Sequence, residues 1–305
     1  MTNYAFLERQ LNRPDGSVDV VLDTDAYNEI DDQYAIAYLL ASAPELNTKA
    51  IYAAPFHNHR SSSPKDGMEK SYDEIINITS LCKRDDLHEN VFRGSESYLS
   101  DEKTAVDSPA ARDLAARALT YSPDKPLYVL AIGAITNVAS AILMEPAIIK
   151  NIVVVWLGGQ AIHMPTWGEF NMMQDVAAGR VVFGCGVPLV QLPCMGVVSH
   201  LTTTEPELRE HVKGKSKVGD YLYNVTCKAG VEDGGNMCWS RVIWDISTVA
   251  WLLSDDFTRD SLIPAPIPSY DQGYVIDPNR HIMKVVYHVN RDAIFKDLFE
   301  KLSTF

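Results

Sequence analysis

VDVVLDTDAYNEIDDQYAIAYLLAS, residues 18–42, is the stretch on which the reading of this chain turns. Val18–Leu22 is mostly apolar and β-branched, the composition of a strand buried on both faces of a parallel sheet. The run stops at Asp23. Asp31 and Asp32 then precede QYAIAYLLAS, whose apolar residues recur at helical spacing. Aspartate at a helix start is favoured by capping and by the macrodipole. The unit is therefore strand, acidic loop, helix.

Outward from this unit the alternation repeats. Lys49–Ala54 reads as a strand, Pro55–Gly67 as a polar loop, and a helix is expected to begin near Met68. Helices are expected over Ala105–Thr120, Thr136–Met144, Pro206–Val212, Ser216–Lys228, Ser240–Leu253 and Asp292–Leu302. Strands are expected over Leu127–Ile132, Ile152–Leu157, Val187–Leu192 and Val285–Val289. Such alternation predicts an α/β fold with an open, mostly parallel central sheet, helices on both faces and a Rossmann-like core. No Gly/Ser linker, low-complexity stretch or repeat divides the chain, so a single domain over residues 1–305 is expected. In open α/β sheets ligands bind beyond the carboxyl ends of the strands. That rule singles out the loops after Leu22, Ala54, Ile132, Leu157 and Leu192.

The first of these loops carries Asp23, Asp25, Glu29, Asp31 and Asp32. Carboxylates crowded together repel one another, and a hard divalent cation with oxygen ligands relieves the repulsion. Helix capping accounts for one such aspartate but not for four behind a buried strand. No GxxxxGK[ST] phosphate loop accompanies them, which favours Ca²⁺ over Mg²⁺ and a neutral substrate. The net charge of −13 speaks against nucleic acid and anionic membranes as partners. Five cysteines without CxxC spacing suggest reduced thiols and a cytoplasmic protein. MTNYAFLERQLNRPDG has no apolar h-region, so no secretory leader is expected, and no apolar run is long enough to span a bilayer.

DTDAYNEIDDQYAIA, residues 23–37, resembles the N-terminal signature of the nucleoside hydrolases, the inosine-uridine preferring superfamily. That signature is D-x-D-x-x-x-D-D followed by a helix; here two further residues separate Asp25 from Asp31. Three more segments resemble the family in order: LAIGAITNVASAILMEP (130–146), WLGGQ…WGEFNMMQDVAAGRVVF (156–183) and VIWDISTVAWLL (242–253). The terminal VNRDAIFKDLFEKL resembles the family's end. The resemblance implies hydrolysis of ribonucleosides to ribose and free base. It implies Ca²⁺ held by Asp25, Asp32, Asp245 and the Thr136 carbonyl, with Asp25 as the base that activates a Ca²⁺-bound water. It also implies Asn58 near that water and Glu169 and Asn171 on the ribose hydroxyls; Asp31 is carried as substrate-binding, and the two-residue insertion leaves Asn28 and Glu29 as alternatives to it for facing the ligand. A homo-oligomer, dimer or tetramer, is the implied assembly.

Leaving-group chemistry is where the chain departs from the family. Many members have His immediately before the last aspartate; here Trp244 stands there, as in members that stack a purine on it. His57, His59 and His163 lie in the loops expected to form the site, and His163 is carried as a substrate-binding candidate. Trp167 is expected to wall the base pocket or to pack its loop. AGVEDGGNMCW, residues 229–239, is expected to be a lid or an ordinary surface loop. Two rival functions differ in class. A Mg²⁺ phosphatase of the haloacid dehalogenase type shares the Asp-x-Asp start, but would want Thr or Val where this chain has Tyr27. A nucleoside- or ribose-binding protein without turnover shares the fold, because function resides in the site.

Overall fold

The computed structural model describes residues 4–235 and 238–305. The chain opens with α1 (Tyr4–Gln10) and enters the sheet at β1 (Val18–Thr24). Helix α2 (Asp31–Ala41) leads to β2 (Leu46–Ala53), and α3 (Pro64–Leu81) to β3 (Val91–Arg93). Then α4 (Pro109–Ala118) precedes β4 (Leu127–Ala131), and α5 (Thr136–Met144) precedes β5 (Ile152–Leu157). Helices α6 (Phe170–Gln174) and α7 (Val176–Gly184) precede β6 (Leu189–Leu192). Next come β7 (Thr202–Thr203), α8 (Glu205–His211), α9 (Lys217–Gly234), β8 (Arg241–Val242) and α10 (Ile246–Leu253). The chain finishes with β9 (Thr258–Pro264), β10 (Ile267–Pro268), β11 (Tyr274–Val275), β12 (Ile282–Val289) and α11 (Arg291–Leu302).

Eight strands form one sheet in the order β3-β2-β1-β4-β5-β6-β12-β9, parallel except where β9 runs against β12. Successive strands run outward from β1 to β3 on one side and from β4 to β6 on the other. The order therefore reverses between β1 and β4, and the crevice at their carboxyl ends is where such sheets bind ligands. The strands are buried on both faces, so they alternate between two cores rather than between core and solvent. Val20, Leu22, Leu130, Val153 and Val155 pack on one face; Val21, Val129, Val154 and Trp156 pack on the other.

Two helix starts differ from expectation for one reason. Helix α3 begins four residues before Met68 and α4 four residues after Ala105, each at a Ser-Pro pair. Ser63 accepts from Asp66 N and Ser108 from Ala111 N, with Pro64 and Pro109 preset for the first turn. The helix expected over Ser240–Leu253 is interrupted. Arg241 and Val242 pair with Thr203 and Thr202, Ile243 N donates to Leu201 O, and the helix starts only at Ile246. Residues 229–234 of the expected lid belong to α9, where Gly230 and Gly234 make room for the Trp239 side chain. Asn236 and Met237, in the same stretch, lie outside the described residues. Cys82, Cys185, Cys194, Cys227 and Cys238 are all free thiols. Among the described residues no helix is long and apolar enough to cross a membrane.

Candidate active site

The acid cluster lies at the switch point. Asp23 is in β1 and Asp25 directly follows it; Asp31 and Asp32 form the first turn of α2; Asp245 is the residue before α10. Neither Asp31 nor Asp32 caps its helix. The cap residue is Ile30, which offers no side-chain acceptor, and the two aspartates turn inward. Carboxylate oxygens of Asp31, Asp32 and Asp245 lie within 4.8 Å of one another. Asp25 is 1% exposed, and neither of its carboxylate oxygens has a hydrogen-bond partner among the described residues. Beneath it, Asp23 accepts from Asn137 Nδ2 at 2.8 Å through one oxygen, while the other has no partner. Gly133, after β4, comes so close that a Cβ there would sit 3.1 Å from Asp25 Oδ1.

Burial raises the pKa of every one of these groups. The Asp25 carboxyl is pushed well up by burial first and then by the charges of Asp32 and Asp31. Asp31 is raised by burial, then by Glu29 and Asp32; Asp245 by burial, then by Asp31 and Asp32. Burial carries Asp32 up to about 7, partly offset by its hydrogen bond from Thr24, and Asp23 likewise to about 7. A cation among its oxygens would favour the ionised form of such a cluster. Asp31, Asp32 and Asp245 form a group able to hold one.

A cavity of about 210 Å³ opens on the cluster. Asp25, Asp31, Asp32 and Asp245 line one side. Ile132, Leu157 and Cys194, at or just past the carboxyl ends of β4, β5 and β6, also line the cavity, with Glu169, Phe170 and Asn171. Glu169 is the N-cap of α6: its carboxylate accepts from Asn171 N at 2.8 Å, Met172 N at 3.1 Å and Gly159 N at 2.8 Å. Burial still leaves its carboxyl above the ordinary value, against the pull of those three N–H groups. Asn171 Nδ2 donates to Leu157 O at 3.0 Å and Ile132 O at 3.2 Å, joining the ends of β5 and β4. Trp244, half-buried, lines the same cavity, and its backbone N–H donates to Asp31 Oδ2 at 3.2 Å.

Of the residues singled out in the sequence, Asp25, Asp31, Asp32, Glu169, Asn171, Trp244 and Asp245 meet on this cavity. Thr136 does not. It is the first residue of α5, fully buried, with its hydroxyl donating to Asp175 Oδ2 at 2.7 Å. The residue of that segment on the cavity is Ile132, at the strand end four residues earlier. Asn58 is also off the lining: its Nδ2 donates to Asn28 Oδ1 at 2.6 Å, and Asn28 is the one that reaches the cavity. His163 is exposed and outside the lining, beside Gly196. His57 and His59 are exposed too, His59 on an adjoining groove. Trp167 packs its loop, fully buried, with Nε1 donating to Ser269 O. Ile132, Leu157 and Cys194 escaped notice as individual residues, although the strand-end rule had selected the loops they begin.

A mostly parallel sheet whose switch point holds buried carboxylates beside a partly apolar cavity defines an α/β enzyme working through acidic side chains. The chain belongs to the inosine-uridine preferring nucleoside hydrolase family, whose model matches residues 20–296, and with it to the hydrolases of ribonucleoside N-glycosidic bonds. A pyrimidine-specific ribonucleoside hydrolase of Citrobacter koseri is 28% identical over 309 residues, covering 90% of this chain and 95% of that one. A second, from Salmonella arizonae, is 29% identical over 195 residues, covering 56% of this chain and 58% of that one. Among solved structures, a purine-preferring ribonucleoside hydrolase from Gardnerella vaginalis superposes with a TM-score of 0.77 at 20% identity, covering 93% of this chain and 98% of that one. A plant nucleoside hydrolase superposes at 0.76 with 18% identity, covering 94% and 99%. At these identities the structural likeness is one of fold.

Proposed function

We propose that this enzyme cleaves ribonucleosides to ribose and free base in the cavity at the β1–β4 switch point, with Ca²⁺ held by Asp25, Asp32 and Asp245. One observation carries the reading: buried aspartates from the loop after β1, from α2 and from the start of α10 line one cavity, and neither Asp25 oxygen has a partner among the described residues. The acidic end offers carboxylates and strand-end main chain, a donor set that suits a hard cation. Ile132 replaces Thr136 as the candidate source of a main-chain oxygen. When bound, the cation would let the carboxylates ionise together, acidify a water and take two ribose hydroxyls as ligands, which would impose a ribose requirement.

Asp25 takes the proton of the attacking water; it is buried, and its two oxygens are free to accept. Asp31 accepts from a ribose hydroxyl, its carboxylate already aimed by the Trp244 N–H. The surrounding negative charge stabilises an oxocarbenium-like transition state. Glu169 and Asn171 shape the sugar end, each held by its own hydrogen bonds. Trp244 stacks the base, so a ring protonated by solvent leaves without a histidine donor; the larger stacking area favours purines. A dimer or tetramer belongs to the same proposal and is read by sedimentation velocity. Residence in the cytoplasm is supported by the five free thiols.

Base release from inosine, adenosine, guanosine, uridine and cytidine tests the reading, with and without a Ca²⁺ chelator and in Asp25→Ala. Release that disappears in both the chelated and the mutant samples is the expected result. No release from any nucleoside by the wild-type enzyme sinks it.

A further inference from the structure

The buried aspartates mark the inner end of the cavity. A ribose anchored there directs its base toward the open end, where Glu29 and Met195 are exposed and Gln160 and Trp244 half-exposed. Most polar groups at that end are already engaged. Gln160 Oε1 accepts from Met195 N at 2.6 Å and its Nε2 donates to Gly168 O at 2.9 Å. The Cys194 thiol is engaged with Glu169. The Trp244 N–H lies in the plane of its ring and does not face a base stacked on it.

Two groups remain, on adjacent residues of the segment between Asp25 and Asp31. Arg60 N donates to Asn58 Oδ1 at 2.8 Å, which orients the Asn58 amide so that its Nδ2 donates to Asn28 Oδ1 at 2.6 Å. Asn28 Oδ1 is thereby occupied, and its Nδ2 is a donor without a partner among the described residues. Glu29 Oε2 is held by Arg241 Nη2 at 3.0 Å; its Oε1 has no partner among the described residues, and the side chain is 47% exposed. A carboxylate held by a guanidinium is an acceptor only. The loop thus presents a fixed donor beside a fixed acceptor.

We infer that Asn28 and Glu29 read the edge of the leaving base and select bases that carry an N–H donor beside a ring or carbonyl acceptor. The inference rests on the nucleosidase reading above. All five common bases present such an edge, so the selection is against bases without it; purine riboside and N6,N6-dimethyladenosine keep the acceptor and lose the donor. Leaving Glu29 opposite an edge with no N–H removes a charge-assisted hydrogen bond, about tenfold or more in kcat/KM.

The test measures kcat/KM for adenosine, inosine, purine riboside and N6,N6-dimethyladenosine in the wild-type enzyme, Glu29→Ala and Glu29→Gln. Each variant serves as its own control, because selectivity is a ratio within one protein. The expected result is an adenosine-to-purine-riboside ratio that falls about tenfold in Glu29→Ala and only partly in Glu29→Gln, where a neutral acceptor survives. An unchanged ratio in Glu29→Ala overturns the assignment while leaving the nucleosidase standing. Failure of the wild type to release base from any of the four overturns the nucleosidase reading and this inference with it.

Discussion

Stripping the cation from the acid cluster is predicted to reverse the usual effect of pH on stability, and Asp32 gives the size. In the metal-free protein its folded-state carboxyl sits at about 7 because it is buried, against 3.8 for an ordinary aspartate. At about 1.4 kcal/mol per pH unit, that difference is of the order of 4 kcal/mol. The folded value is the raised one. Asp32 therefore contributes stability that is fully present below pH 4 and lost as pH rises through 7. Asp25, Asp31 and Asp245 are raised by the same burial and push in the same direction. With cation bound the carboxylates are already ionised in the folded state, and the slope vanishes. Calorimetric melting between pH 5 and 8 in chelator is expected to show the midpoint falling with pH, and in excess Ca²⁺ to show no such fall. Asp32→Asn in chelator at pH 8 is expected to melt about 5–10 °C above the chelated wild type, while losing its response to Ca²⁺. A chelated wild type equally stable at pH 5 and 8, or an Asp32→Asn that is no more stable than it, would refute the reasoning.

Gly133→Ala sets a methyl 3.1 Å from Asp25 Oδ1, and a displaced base should cost roughly tenfold to a hundredfold in kcat with little change in melting temperature, read by steady-state kinetics beside calorimetry. Thr136→Val removes a hydroxyl from the buried Asp175; it should cost about 1–3 kcal/mol in urea unfolding and leave Ca²⁺ affinity by titration calorimetry unchanged. Asn58→Ala frees the Asn28 amide to turn, and should raise KM for adenosine several-fold with kcat nearly constant, since Asn58 itself does not line the cavity.

The parts of the fold legible in the sequence are those whose physics is local. β4 and β5 are apolar on both faces, so their runs are unbroken and mark a parallel sheet. β9 is polar over its first four residues and ends in proline, and α1 is only seven residues long; neither declares itself in the sequence alone. The site divides in the same way. Aspartates crowded on one loop announce chemistry by their own repulsion. The difference between Thr136 and Ile132 depends on where a strand ends and a helix begins, and both lie within five residues of one another. Glu169 was legible as a site residue through the resemblance, and the structure makes it the cap of α6 as well as part of the cavity lining. Asn28 and Glu29 acquire meaning only through Asn58 and Arg241, partners that the chain supplies from 30 and 212 residues away.

The cluster also has a history in time. Asp25, Asp31 and Asp32 leave the ribosome with the first elements of the chain, whereas Asp245 stands at the entry to α10, and β12, which pairs with β6 inside the sheet, comes later still. At about 5–20 residues per second, roughly ten to forty seconds of synthesis separate Asp32 from Asp245. During that interval the emerged chain carries only part of its acidic load. Cation capture is therefore a late event of biogenesis, and the nascent amino-terminal half must reach its shape without the ion that its finished counterpart requires.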